Sequence, residues 1–156
     1  MSELLGIAVR RALADGVAAR DAFEAVNVSS VPTGGSLPAP CAEFGEQDDN
    51  ESFATRGQAG TGIDEQGTFV AVIVTEATAT AANADDDTDA RAAEDDADAL
   101  FGDTEDFLAA DRTLGGACLW CRVSGAKIEN GVSGEATRVC RLTVRFEYKA
   151  RANRGG

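Results

Sequence analysis

Two cysteines, Cys118 and Cys121, bracket Leu119 and Trp120 in the stretch GGACLWCRVSG. That spacing serves dithiol redox centres and halves of zinc sites. Either use needs more than the pair. A structural zinc ion takes four ligands, and the chain has no histidine to offer. Cys41 and Cys140 are the remaining thiols and lack a paired spacing. A thioredoxin-type centre presents its first cysteine at a helix N-terminus, where the thiolate is stabilised. Here RVSGAKIENG comes next, without helical periodicity. Read as a strand, the segment puts Cys118 and Cys121 on opposite faces, because side chains alternate. The four cysteines are therefore expected to pack as small apolar groups.

The other chemistry-bearing clusters fare no better. Asp85, Asp86, Asp87 and Asp89, then Glu94, Asp95, Asp96 and Asp98, crowd carboxylates together. They lack the calcium-loop pattern of alternating acids followed by glycine and fall on a helix, so they read as a solvated face. GQAGTG lacks the Lys-Ser/Thr that completes a phosphate-binding loop. Without histidine, most triads and proton shuttles are also excluded. No catalytic residue, metal site or cofactor is expected, and the chain reads as a non-enzyme.

The elements that must position these residues come from 156 residues, the size of one domain, of which 44% are hydrophobic. The net charge is −13, with 12 arginines against two lysines, Lys127 and Lys149. A salt-rich setting or a GC-rich genome would each give this bias. Residues 1–115 carry 24 acids and 6 bases, whereas residues 116–156 carry 3 acids and 8 bases. An acidic body is thus joined to a basic C-terminal segment. The net charge disfavours nucleic acid as a bound ligand. No apolar run approaches the roughly 18 residues of a membrane span. MSELLGIAVRRALADG, with its early acid and internal arginines, is not expected to be a signal peptide. Free thiols in a reducing compartment are the resulting expectation.

Residues 3–14 predict a helix with Leu5, Val9, Ala12 and Leu13 on one face, capped by Ser2 and ended by Asp15-Gly16. A strand is predicted over 22–28, a proline-rich loop to residue 40, and a short strand in CAEFGE. Residues 45–67 predict a long polar loop with one brief strand near 53–56. Residues 69–74 are continuously apolar, as in a strand buried on both faces. Ala90, Ala93, Ala97, Leu100 and Phe101 then mark an amphipathic helix with an acidic outer face, and TEDFLAADRTLGG is a connector. The last forty residues predict a hairpin turning at Asn130-Gly131, with strands over about 117–128 and 135–150 and a short tail at 151–156. Cys140, Leu142, Val144, Phe146 and Tyr148 share one face of its second strand; Arg141, Thr143, Arg145, Glu147 and Lys149 share the other. The fold class is α+β: a mainly antiparallel β-sheet with two helices packed against it and a long C-terminal β-hairpin, in a single domain over 1–156.

Arg122, on the strand face assigned to Cys118 and Trp120, joins Arg138, Arg141, Arg145 and Lys149 as a basic surface. It is either a solvated counterweight to the acidic body or a contact for an acidic partner or a second copy of the chain. Acidic and basic regions in one chain suit head-to-tail association.

The order of elements resembles the tail terminator family of long-tailed phages and gene-transfer particles. LLGIAVRRALADGVAARDAF looks like its opening helix and linker. TFVAVIVTEA runs into an Ala-rich helix ending in DADALFG, and ACLWCRVSGAKIENGVSGEATRVCRLTVRFEYKAR looks like its closing strand pair. The resemblance spans nearly the whole chain but rests on no invariant motif. It implies a homohexameric ring in the virion, at the tail–neck junction, assembled in the host cytoplasm. Such a ring caps the head-proximal end of the tail tube, ends its polymerisation and meets neck proteins, while DNA passes through the lumen without specific binding. Under that resemblance Glu46, Asp48, Asp49, Glu51, Asp85, Asp86, Asp87, Asp95 and Asp96 are candidates for an acidic lumen. The five basic residues named above are candidates for the subunit or tube interface. The high acidity and the loop at 45–67 depart from the family texture; that loop would reach a tube or neck partner. The alternatives are another head–tail connector or neck completion protein, or an acidic binding domain that mimics nucleic acid toward a basic partner.

Overall fold

Helix α1 (Leu5–Ala18) buries Val9, Leu13, Ala14 and Val17, a stripe that recurs at the helical period. The computed structural model describes residues 5–31, 38–45, 54–59, 62–78, 86–133 and 137–153. α1 continues through Asp15-Gly16, where the sequence predicts its end. Gly16 is there for packing: a Cβ on it would lie 2.2 Å from Cζ of Phe107. The predicted strand at 22–28 is replaced by a 3-10 turn, Asp21–Phe23, and a three-residue strand β1 (Asn27–Ser29). β2 (Cys41–Phe44) forms as predicted.

The predicted loop at 45–67 is a hairpin in its described part. β3 (Ala54–Ala59) pairs antiparallel with β4 (Gly62–Thr78), placing Arg56 opposite Glu65. An ion pair between those two side chains, Arg56 Nε to Glu65 Oε1 at 2.7 Å, holds the register. α2 (Asp86–Ala110) absorbs most of the predicted connector. Its buried positions Ala93, Ala97, Leu100, Thr104 and Leu108 keep the helical period past Gly102-Asp103. The Thr104 hydroxyl donates to the Leu100 carbonyl at 2.9 Å, so a buried polar side chain is satisfied within the helix.

Asp111 ends α2. Its carboxylate accepts the Thr113 hydroxyl and the backbone N–H groups of Thr113 and Gly115. Gly115 and Gly116 then take φ of 69° and 95°, a turn that needs glycine. Beyond it lie β5 (Trp120–Ser133) and β6 (Thr137–Asn153). Their pairing continues to Ser133↔Thr137, so Asn130-Gly131 lies inside a strand and is not the turn. β6 also takes up half of the predicted tail: Arg151 donates to Asp64 at 2.6 and 3.1 Å.

The sheet runs β1-β2-β4-β6-β5, with β3 paired beside β4. All pairs among the described residues are antiparallel except β1 with β2. The fold is therefore α+β with the expected C-terminal hairpin. Phe44, Phe69, Ala71, Ile73, Leu142, Val144, Phe146 and Tyr148 share one sheet face and form a single core with both helices. Phe69 and Phe146 stack with centroids 5.1 Å apart. The Thr75 hydroxyl donates to the Ala93 carbonyl and ties α2 to β4. Arg20 grips Asp103 through two hydrogen bonds, at 2.6 and 2.9 Å, and joins the end of α1 to α2.

Glu65 is 0% exposed on this core face. Its carboxylate accepts from Arg56, from the Tyr148 hydroxyl at 2.8 Å and from the Gly6 N–H at 2.6 Å. A buried carboxylate thus caps the first turn of α1, where free N–H groups and the helix dipole favour negative charge. Burial pushes its pKa up, but the bonds from Arg56, Tyr148, Gly6 and Leu5 outweigh that and hold it below the ordinary value. Gly6 allows the approach: a Cβ there would sit 2.2 Å from the Tyr148 hydroxyl oxygen. A depressed carboxylate adds stability above its unfolded pKa and loses it as pH falls through the folded one. Stability should therefore decline through that acidic window. Glu65→Gln should remove that part of the decline and cost about 2 kcal/mol at pH 7, by weakening the charge-assisted hydrogen bonds from Arg56, Tyr148 and Gly6. Denaturant titrations of both proteins against pH measure this; equal stabilities at pH 7 would contradict it.

Candidate functional site

Strand alternation on β6 divides its side chains as predicted. Cys140, Leu142, Val144, Phe146, Tyr148 and Ala150 are buried against the helices. Arg141, Thr143, Arg145, Glu147, Lys149 and Arg151 point to the opposite face, which carries neither helix. On β4 the same face holds Val70 and Val72, only 3% and 4% exposed and outside the helix-side core. The strand is thus buried on both faces, as expected, although both helices lie on one side. By register, Trp120 and Arg122 of β5 fall on this helix-free face, opposite Lys149 and Glu147.

A β-bulge decides which other residues of β5 join them. The β5–β6 register shifts between Val123 and Gly125, leaving Ser124 as the extra residue. Without it, Ala126 and Ile128 would join Arg122. With it, Lys127 and Glu129 do, opposite Thr143 and Arg141, while Ala126 and Ile128 turn toward the helix side. Ile128, 50% exposed, there lines an open groove of about 260 Å³ with Ala97, Asp98, Phe101 and Leu142.

Four of the five predicted basic residues are therefore brought together: Arg122, Arg141, Arg145 and Lys149. Arg138 is not. It pairs in register with Ala77 and Val132, two residues before Cys140, and so belongs to the helix side. On the basic face the Arg122 guanidinium lies 4.9 Å from the Trp120 ring centroid and bonds Glu147 at 2.9 and 3.2 Å. Lys127 pairs with Glu129 at 3.1 Å. These are exposed pairs of small individual energy; they order the surface and leave its net sign positive.

The acidic candidates divide differently. Asp95 and Asp96 are exposed on α2. Asp86 and Asp87 begin that helix. Glu46, Asp48, Asp49, Glu51 and Asp85 lie outside the described residues. α2 as a whole carries ten acids and one base, Arg91. The molecule is therefore two-sided, with a carboxylate-rich helix over one face of the sheet and a cation-rich strand pair on the other.

The cysteines are four free, buried thiols. The expectation that strand alternation separates Cys118 from Cys121 is corrected. β5 starts at Trp120, so Cys118 sits in the preceding turn and shares the helix-side core with Cys121. Both engage one carbonyl: Cys118 Sγ–H donates to Arg112 O at 3.4 Å, and the Cys121 N–H donates to it at 2.9 Å. Burial pushes the Cys118 thiol up to about 11 and Cys121 up to about 12. Such thiols stay protonated at neutral pH and are poor nucleophiles. Among the described residues no group of three or more metal-ligating side chains occurs.

No known protein family matches the chain, and no curated protein matches it. Among solved structures, one chain of a structure titled "Virion of native gene transfer agent (GTA) particle" is similar to it, with 17% identity and a TM-score of 0.49. The match covers 96% of this chain and 100% of that one.

Thiol titration at pH 8 with a small disulfide reagent should find Cys41, Cys118, Cys121 and Cys140 unreactive over minutes in the native protein. All four should react at once in denaturant. A native thiol reacting at the free-cysteine rate would contradict the buried assignment.

Proposed function

We propose that this protein is a structural component of a phage-like particle, a tail terminator whose subunits close into a ring on the head-proximal end of a tail tube. One observation supports the reading above the rest. Cations predominate on the outer side of the β5–β6 pair and carboxylates on the outer side of α2, as suits a subunit that must meet different neighbours through different surfaces. The sequence resemblance over α1, over β4 into α2 and over the β5–β6 hairpin supplies the particular role. On this reading the ring is a homohexamer at the tail–neck junction. It stops tube polymerisation and presents a surface to neck proteins. DNA passes through it, and a chain of net charge −13 gives a duplex little to hold. The basic face of β6 serves subunit or tube contact, and no residue performs chemistry.

The test adds purified protein to polymerising tail-tube subunits from the same particle. Tube lengths should shorten as the protein is titrated, and electron microscopy should show a ring at one end of each tube. Tubes that elongate as before, with bare ends, would overturn the reading.

A further inference from the structure

We infer that the helix-free basic face of the sheet docks the acidic outer face of α2 from a second copy of this chain. The inference deepens the ring reading by naming both halves of the subunit contact, but its physical basis is independent of any tail tube.

The sheet face offers a row of cations on one strand. Arg141, Arg145 and Lys149 stand on β6 at every fourth residue, all on one side. At about 3.4 Å per residue they repeat at roughly 14 Å. Arg122 and Lys127 flank them from β5. The helix offers a matching row. With Ala93, Ala97, Leu100, Thr104 and Leu108 buried, the outward line of α2 runs through Asp95, Ala99, Gly102 and Asp106. Asp95 and Asp106 are eleven residues apart, roughly 16 Å along the axis at 1.5 Å per residue. Both are exposed, and Asp96, Asp98 and Glu105 are exposed beside them. A Cβ placed on Gly102 would touch nothing, so this line is open to an approaching surface. Carboxylates and cations thus recur at similar spacing on opposite sides of one molecule.

Opposite sides matter. The two faces of one copy cannot meet each other, because the sheet and its core lie between them. Satisfying them needs two copies, and each copy then keeps one face of each sign for the next. That is a heterologous contact, which closes into a ring when its rotation allows and otherwise extends as a filament. The contact moves Asp95 and Asp96 from the lumen wall, where charge pattern alone had put them, to the boundary between subunits.

Charge reversal with complementation tests this. Arg141→Glu/Lys149→Glu cancels the net positive charge on the outer side of the β5–β6 pair; Asp95→Lys/Asp106→Lys places two cations on the outward line of α2. None of the four side chains is buried, so each variant should stay folded and melt within a few degrees of wild type, Arg141→Glu losing its cross-strand complement to Glu129. In low salt the wild-type protein should self-associate by analytical ultracentrifugation, at least tenfold more weakly in 0.5 M salt because exposed charges are screened. Each variant alone should be monomeric, and an equimolar mixture should regain association. A monomeric wild type, variants that assemble unaided, or a mixture that stays monomeric would overturn the inference. So would wild-type binding to duplex DNA that is lost in the Arg141/Lys149 variant while self-association persists, since the basic face would then be a polyanion site. A monomer that still caps tubes would sink this contact and leave the terminator reading intact. An assembling protein that ignores tubes would do the reverse.

Discussion

The Glu65 carboxylate is the constraint on which the arrangement turns. It is a full charge with no exposed surface, and such a group is tolerated only when paired and hydrogen-bonded. Its partners come from three separate elements: Arg56 on β3, Tyr148 on β6 and the first turn of α1. Satisfying one side chain therefore fixes the helix against the sheet, the β3–β4 register and the lower half of the hairpin together. Gly6 is what lets the helix come near enough, since any Cβ would meet the Tyr148 hydroxyl.

Once α1 is held there, the other layers fall into place. Gly16 receives the ring of Phe107, and Arg20 clasps Asp103, so α2 must lie beside α1 on the same sheet face. The Thr75 hydroxyl fixes α2 to β4 from below. Two helices on one face leave the other without a helix among the described residues. The proposed function rests on that asymmetry. Antiparallel sheets stand with one face in water readily, but here the outward strand carries cations while the helix on the far side carries carboxylates.

Much of this is legible in the sequence. The alternation from Cys140 to Tyr148 gives the orientation of β6, and the Ala93–Ala97–Leu100 spacing gives the buried line of α2. The differences have local causes. Gly102-Asp103 reads as a helix stop, yet Asp103 is held by Arg20 from 83 residues away. Asn130-Gly131 reads as a hairpin turn, but the Ser124 bulge and the long pairing carry the strand past it. Arg138 groups with the basic face by charge, whereas alternation carried back from Cys140 puts it on the helix side. Cys118 precedes its strand, and nothing in the composition of GGACLWC marks where that strand begins. Glu65 does have a signal. It lies two and four residues before Gly67 and Phe69, in step with Ala71 and Ile73, so alternation alone places it on the core face. Its polar neighbours Asp64 and Gln66 obscure the pattern.

The central claim is that the basic sheet face and the acidic helix are two halves of one contact between copies. A zero-length carbodiimide cross-link, which joins a carboxylate to a lysine amine, tests it most directly. Lys127 and Lys149 are the only lysines in the chain, and the sheet separates Lys149 from the α2 acids of its own copy. Cross-linking an equal mixture of isotopically light and heavy protein should give mixed-label peptides joining Lys149 to the Asp95–Asp106 stretch of α2. Cross-links that form only within one copy, or between copies without α2, would contradict the account.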